Sequence, residues 1–124
     1  MGTFKKLEDI EVWKRSCRLA VDIYKLTDSK ELSQKWSLKD QILRSAISIP
    51  SNIAEGFERD STAEFKRFLQ IAKGSCGELR TQLYVLKALE LLPTQTIDQL
   101  ISECLGVSSM IQSLVTHLKS FGKF

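Results

Sequence analysis

The chain has 124 residues, of which 43% are hydrophobic and 27% are charged, and its formal net charge is +3 at pH 7. A chain of this length forms one domain with its own core, here taken as residues 1–124, and its composition is that of a globular protein. The longest apolar run is far too short to cross a bilayer, so no membrane association is predicted. The charged N-terminus lacks the apolar stretch of a secretion signal, which makes the cytoplasm the expected location.

The first predicted helix, residues 8–27, carries two apolar stripes. One stripe steps by three and four residues through Ile10, Trp13, Cys17, Ala20 and Tyr24. The second stripe lies beside it and consists of Val12, Leu19, Ile23 and Leu26. At 100° per residue the two stripes span an arc of about 200°, roughly twice what a surface helix of a monomer needs. The surplus predicts that another subunit covers part of this helix.

The second predicted helix, residues 37–59, follows a polar loop at 28–35 that has no apolar period. Ser37 followed by Asp40 is a plausible start for it. Pro50 lies in its interior, where a proline removes one backbone donor, yet the apolar spacing continues on both sides, so we expect a kinked but continuous helix. Gly56 near its end either admits a neighbouring backbone or marks the end of the helix.

The third predicted helix, residues 62–92, opens with a capping box at Ser61 and Glu64. Its apolar seam steps by four and three without a fault through Phe65, Leu69, Ala72, Cys76, Leu79, Leu83 and Leu86. A small-residue run, 74–77, interrupts it with two glycines that an isolated helix disfavours, which predicts a close helix approach. The fourth predicted helix, residues 96–120, opens with a second capping box at Thr96 and Gln99 and continues the three-four spacing.

These segments predict an all-α fold, an up-down-up-down antiparallel four-helix bundle. An elongated coiled coil is excluded because Pro50, Pro93 and the loop at 28–35 interrupt its seams.

Residue types that carry chemistry are sparse. The three cysteines, Cys17, Cys76 and Cys104, lie on apolar stripes and are interpreted as small buried hydrophobes. The single histidine, His117, has no carboxylate three residues before it, so neither a metal site nor a cofactor is predicted. Glu55 and Glu78 are the nearest candidates for acid or base chemistry, but buried, hydrogen-bonded carboxylates are the simpler interpretation. No catalytic residue is assigned, and the chain is expected not to be an enzyme.

One row of positive charge repeats every seven residues beside the third helix's seam: Arg59, Lys66, Lys73, Arg80 and Lys87. Such flanking cations usually pair with acids on a neighbouring helix. Alternatively, symmetry copies of the row line one surface of an oligomer and bind the phosphate backbone of RNA or DNA.

Several motifs resemble one bacterial family. They comprise residues 4–13, the segment Gln41–Ala46, the segment Ser48–Gly56, and Ala72–Ser75 followed by Glu78. Together they resemble the four-helix bundle proteins first noted in intervening sequences of 23S ribosomal RNA genes, also called S23-like. The chain is also similar to the accessory proteins of diversity-generating retroelements, which are basic pentamers that bind reverse transcriptase and nucleic acid.

The resemblance implies a ring-like homopentamer around a central channel with no established enzymatic activity. It also assigns a motif network of six residues: Arg44, Ser48, Asn52, Glu55, Ser75 and Glu78. These residues serve either packing and subunit registration or a ligand site. The leading hypothesis is a ring-forming scaffold or adaptor, which acts on RNA or with an RNA-processing partner. Direct nucleic-acid binding by the row of cations is the second hypothesis, and small-molecule catalysis at Glu55 and Glu78 is the third.

Overall fold

The computed structural model describes residues 4–121, with side chains described as far as Leu118. The described part is all helical and contains no strand. A short 3-10 turn precedes the α-helices, and the elements in chain order are the turn Leu7–Asp9, α1 Glu11–Thr27, α2 Lys30–Ser33, α3 Trp36–Glu58, α4 Thr62–Leu89 and α5 Thr94–Phe121. The predicted helical fold is confirmed, but the described residues form five α-helices rather than four because of the short α2.

The four long helices form a closed antiparallel arrangement. Helix α3 packs against α1 and α4, and α5 packs against α4 and α1. Two hydrogen bonds between α4 and α5 show that these helices are antiparallel. Lys73 contacts Gln112, whereas Lys87, further along α4, contacts Asp98, which lies nearer the start of α5. None of the helices in the described residues combines the length and hydropathy that crossing a membrane requires.

The core lies along the seam predicted for α4. All seven predicted seam residues of this helix, from Phe65 to Leu86, are buried. Opposite them, α5 buries Ile97, Cys104, Val107 and Ile111, and Leu114 lies half-buried at the edge. Burial of these and the other apolar core side chains is the main driving force for the fold, because a fully buried Val, Leu, Ile or Phe side chain contributes about 1.5–3 kcal/mol of transfer free energy.

Helix α3 continues through Pro50 as one helix, as predicted, and Pro50 itself is buried. Proline has no N–H, so the carbonyl of Ala46 one turn earlier loses its helical donor. Ile42, Ile49 and Ile53 are fully buried on both sides of the proline. Packing of these side chains therefore holds the helix together across the missing bond, and the kink stays a prediction.

Gly56 explains how closely α3 and α4 approach each other. A Cβ atom at this position would lie 2.6 Å from Phe68 Cβ and 3.3 Å from Phe65 Cα. Carbon atoms do not approach that closely, so only glycine fits. Of the two roles predicted for Gly56, admission of a neighbouring backbone is the correct one, because α3 runs on to Glu58.

Two predicted N-cap residues are wrong. The N-cap of α3 is Lys35, which makes no side-chain cap bond, and Ser37 lies inside the helix. Helix α5 begins at Thr94, directly after Pro93, so Thr96 is not its cap. Pro93 precedes the first helical residue, and its carbonyl accepts a hydrogen bond from the Ile97 amide at 3.3 Å. The helical hydrogen bonds therefore begin before Thr96, which lies inside the first turn.

The predicted loop at 28–35 contains helix α2. Ser29 caps it by accepting a hydrogen bond from the Leu32 amide at 3.3 Å, and the Leu32 side chain is fully buried. A single apolar residue among polar neighbours has no period, so the pattern could not reveal this turn. Its effect is to close the end of the bundle where α1 meets α3.

The start of α4 forms half of the predicted capping box. Ser61 Oγ accepts from the Glu64 amide at 3.3 Å, as predicted. The Glu64 carboxylate instead accepts hydrogen bonds from Arg59 and Arg67. Helix α4 ends at Leu89, earlier than predicted, because Glu90 adopts a left-handed conformation with φ of 56°.

Candidate functional site

The neutral members of the motif network meet between α3 and α4. Ser48 Oγ and Ser75 Oγ share a hydrogen bond of 2.8 Å. Asn52 Nδ2 donates to both the carbonyl and the hydroxyl of Ser48, each at 2.8 Å. Ser75 is buried and also contacts the carbonyl of Ile71 at 3.3 Å. A hydrogen bond between polar groups in a helix interface disfavours a shifted register, so the Ser48–Ser75 contact favours this alignment of α3 and α4, while Asn52 holds Ser48 from its own helix.

The charged members of the motif network, Arg44, Glu55 and Glu78, make no contact with Ser48, Asn52 or Ser75 among the hydrogen bonds of the described residues. Arg44 bonds Asp40 at 2.9 Å and Glu55 bonds Arg59 at 2.9 Å, each one turn away on the same exposed surface. Glu78 is exposed on α4. The prediction that Glu55 and Glu78 are buried carboxylates is therefore wrong. Their helical positions lie outside the seam, where exposed pairs contribute at most about 1 kcal/mol.

The predicted row of cations lies largely along the seam between α4 and α5. Arg59 does not belong to α4, because it is the C-cap of α3, and it bonds Glu55 and Glu64. Lys73 donates to Gln112 at 2.7 Å, and Lys87 donates to Asp98 at 2.8 Å. The hydrogen bond to Asp98 is the main cause that raises the pKa of Lys87.

The two remaining cations, Lys66 and Arg80, are half-buried on α4. Three of the five predicted cations thus contact acidic or amide groups of the same chain. This arrangement agrees with the interpretation of paired flanking charges, and phosphate binding stays a prediction.

An ionic contact that the sequence patterns did not reveal joins α1 to α5. Arg15 Nε lies 2.6 Å from Glu103 Oε2, and Arg15 Nη2 lies 2.8 Å from Glu103 Oε1. The guanidinium crosses Gly106, where a Cβ atom would lie only 2.3 Å from Nη2. The hydrogen bond from Arg15 is the main cause that lowers the pKa of Glu103. An arginine on one helix and a glycine near a glutamate on another are the signals that could have indicated this contact.

A solvent-exposed apolar groove runs between α1 and α3. It has a volume of about 390 Å³ and is lined by Cys17, Ala20, Val21, Tyr24, Lys25, Ile47 and Pro50. Three of these side chains remain far from buried, since Val21 is 51%, Tyr24 49% and Ile47 46% exposed. We call this surface the α1/α3 groove. Of the double stripe predicted for the first helix, Cys17, Ala20 and Tyr24 line this groove, and Tyr24 is the exposed one among them. Most of the other stripe residues are buried within the chain, so the predicted cover by another subunit stays a prediction.

The two glycines of α4 do not mediate close packing within the chain. A Cβ atom added at Gly74 or at Gly77 would meet nothing within 4 Å. The close helix approach predicted at 74–77 therefore does not involve the two glycines. Within this run Ser75 contacts Ser48 of α3 at 2.8 Å, and the glycine at a close approach is Gly56. The glycines alone did not predict this, because α4 buries its apolar seam and Gly74 therefore lies on the side facing away from the core.

The described residues offer little for catalysis. They contain no group of three His, Cys, Asp or Glu side chains that could hold a metal ion. Burial raises the pKa of the Cys76 thiol, and of the Cys104 thiol, to about 12, so neither forms a nucleophilic thiolate near neutral pH. Cys17 is half-buried in the α1/α3 groove, and burial also raises its pKa. The open cleft of about 490 Å³ between α1 and α5 includes Glu103, which Arg15 already binds.

Comparison with known proteins agrees with the fold and with the motifs. The chain is similar to the crystal structure of a protein of unknown function from the S23 ribosomal protein family of Bacteroides thetaiotaomicron. The two are 27% identical over 84% of this chain and 97% of that chain, with a TM-score of 0.76. No curated protein matches the chain significantly. The similarity to retroelement accessory proteins stays a prediction.

The match to a family extends over most of the chain. Residues 8–113 match the sequence profile of the 23S rRNA-intervening sequence protein family. This range includes α1 to α4, the motif network and most of α5. The chain therefore belongs to the 23S rRNA-intervening sequence protein family.

Proposed function

We propose that this chain is a non-enzymatic building block of a homo-oligomer and acts as a helical scaffold or adaptor. The observation that carries the proposal is the α1/α3 groove, in which Val21, Tyr24 and Ile47 are each close to half exposed. These residues lie together on two neighbouring helices rather than singly. A contiguous apolar surface of this kind marks an interaction site, because leaving it in water is unfavourable.

Several features support an assembly function over catalysis. The candidate carboxylates, Glu55 and Glu78, are exposed and lie on different helices, and Glu55 is paired with Arg59. The buried thiols are protonated at neutral pH. A ring of five subunits is the stoichiometry that the family resemblance implies, and the proposed ring presents repeated copies of the surface outside the groove to an RNA or an RNA-processing partner.

The direct test is the mass of the protein in solution. Native mass spectrometry and light scattering should give one discrete multiple of the 14.1 kDa protomer over a range of concentrations. Val21→Glu should reduce that mass, because a carboxylate in an apolar interface is desolvated without a partner. Leu105→Glu is the matched control, since Leu105 is 48% exposed on α5, outside the groove. A wild-type protein that stays monomeric at all concentrations would refute the proposal.

A second function, binding of RNA or DNA along α4, is favoured by Tyr84. Its side chain is 53% exposed and lies one turn from Arg80 and from Lys87, on the part of α4 that carries the cations. Cations that follow a backbone, with an aromatic ring between them for base stacking, are the usual elements of sequence-tolerant nucleic-acid binding.

Replacing Lys66, Lys73 and Arg80 with glutamine tests this second function. Binding to a labelled RNA should weaken, and its dependence on salt concentration should become shallower, because fewer counterions are released. The control replaces Lys30, Lys35 and Lys39, which lie on α2, before α3 and at the start of α3, with glutamine. Equal binding by both triple variants would exclude the α4 cations as the binding site.

A further inference from the structure

The outward side of α4 is a second unpartnered face. Its residues follow the three-four spacing, and all are exposed: Ile71, Gly74, Glu78, Thr81 and Val85. Two of them are large apolar side chains, Ile71 at 41% and Val85 at 43% exposure. We call this surface the α4 outer face.

The α4 outer face has a depression at Gly74. Gly74 has no side chain, and the space where its Cβ would lie is open for 4 Å, as it is at neighbouring Gly77. Thr81 directs its hydroxyl to the carbonyl of Gly77 at 2.8 Å, so this polar group is satisfied within the helix. The open space at Gly74 lies between Ile71, one turn before it, and Glu78, one turn after it. It suits a projecting apolar side chain from another molecule that packs against Ile71.

The α4 outer face and the α1/α3 groove are different surfaces of the same chain. Helix α3 contacts both α1 and α4 and lies between them. Ile47 belongs to the α1/α3 groove, and the other exposed residues along this side of α3, namely Asp40, Arg44, Ser51 and Glu58, are polar. One surface therefore cannot be an extension of the other across α3.

Charge distinguishes the ways in which two copies could meet. Lys25 borders the α1/α3 groove, and Glu78 lies in the α4 outer face. Pairing groove with groove brings two Lys25 side chains into one interface, and pairing the α4 outer faces brings two Glu78 side chains together. Pairing the groove of one copy with the α4 outer face of the next places opposite charges in the same interface, which favours that arrangement.

We infer that the α4 outer face receives the α1/α3 groove of a second copy of this chain, with Val21, Tyr24 and Ile47 packing over Gly74 and against Ile71. The inference rests on the proposed homo-oligomer and adds its interface. Because the two contacting surfaces differ, the contact is head-to-tail, and every subunit in the assembly keeps the same two neighbours.

The test uses two variants, each with one surface disabled. The groove variant carries Val21→Glu and Ile47→Glu, and the face variant carries Ile71→Glu and Gly74→Arg. All four positions are exposed in the chain, so both variants should fold, which circular dichroism checks. Each variant alone should be monomeric. Mixed in equal amounts, they should form a dimer of twice the protomer mass by native mass spectrometry, because each supplies the surface that the other lacks.

Other outcomes overturn the inference in distinguishable ways. A face variant that assembles like the wild type, while the groove variant is monomeric, excludes the α4 outer face but leaves the proposed homo-oligomer intact. Two monomeric variants that do not combine exclude the head-to-tail pairing. A monomeric wild type refutes both the inference and the proposed function.

A milder pair of substitutions tests the contact without disturbing the fold of the single chain. Gly74→Ala with Gly77→Ala fills open space on this chain but places methyl groups in the proposed contact. The variant should dissociate at a concentration at least tenfold higher than the wild type. Dissociation at an unchanged concentration would refute packing on these glycines.

Discussion

The α3/α4 seam and the α1/α5 seam hold the same bundle together in different ways. The helices of the first seam are joined by a short turn, and they meet through Gly56 and the neutral contact of Ser48 with Ser75. The helices of the second seam are far apart in sequence, and they are joined by the long side chain of Arg15 reaching Glu103. The difference teaches that small groups serve where backbones touch, whereas a long charged side chain bridges helices that leave a cleft open between them.

Gly56→Ala should destabilise the α3/α4 seam more than any other substitution considered. The added methyl group would lie 2.6 Å from Phe68 Cβ and 3.3 Å from the backbone of Phe65. Overpacking of this kind lowers the free energy of unfolding by up to about 3 kcal/mol. Urea denaturation should therefore show a clearly lower midpoint, and a midpoint equal to that of the wild type would contradict the close approach.

Gly74 and Gly77 contrast with Gly56, because replacing either of them with alanine should raise the stability of the single chain rather than lower it. Gly74→Ala and Gly77→Ala each meet open space and should raise the free energy of unfolding of the dissociated chain by about 1 kcal/mol, since alanine favours helix. The measurement is urea denaturation at a concentration where the chain is monomeric. Loss of stability would show that the single chain itself requires these glycines.

Breaking the second seam with Arg15→Met should have a smaller effect, of about 1 kcal/mol at pH 7, because the pair is partly exposed. The stabilisation by this ion pair should decrease at low pH. Arg15 lowers the pKa of Glu103, so the contribution is fully present above the ordinary carboxyl value of 4.5 and is lost as the pH falls below it.

The measurement for this seam is stability from pH 7 down to pH 3. The difference between wild type and Arg15→Met should shrink as the solution becomes acidic. Lys14→Met is the comparison variant: its partner Glu11, 2.9 Å away on the same helix, is more exposed, so the same change of pH should have a smaller effect. A difference that does not change with pH would show that Arg15 stabilises the seam by packing alone.

The smallest effect is expected for Ser75→Ala. It removes the 2.8 Å contact across the first seam, but Ser48 keeps its hydrogen bond from Asn52. One neutral hydrogen bond contributes about 0.5–1.5 kcal/mol, and we expect the lower part of this range. A double-mutant cycle with Ser48→Ala measures the coupling, and an interaction energy of zero would exclude the pair as a determinant of register.

The sequence was most informative where apolar residues repeat over several turns. The α4 seam from Phe65 to Leu86 is buried in full, because a long amphipathic helix has only one way to bury its stripe. The start of α4 after Ser61 was also predictable, since the Ser61 hydroxyl accepts a hydrogen bond from an amide only three residues away. Both signals are local, and neither depends on what the other helices do.

The sequence was least informative about side chains whose partners depend on helix rotation. Glu55 lies next to the seam by spacing but turns to Arg59 in the structure. Gly56 and Gly74 are the same residue type inside helices, yet one lies against Phe68 and the other meets open space. Which of them contacts a neighbour depends on the phase of each helix relative to the core, and that phase is fixed only when all four long helices pack together.

The three cysteines differ in burial, and this gives the protein a built-in chemical reporter. Cys76 and Cys104 lie in the core with thiol pKa values raised to about 12, so an alkylating reagent should reach them only when the bundle opens. Cys17 is half-buried in the α1/α3 groove and is accessible in the single chain. The labelling rate of Cys17 thus follows occupation of the groove, while that of the other two follows unfolding, in the natural sequence and without an added probe.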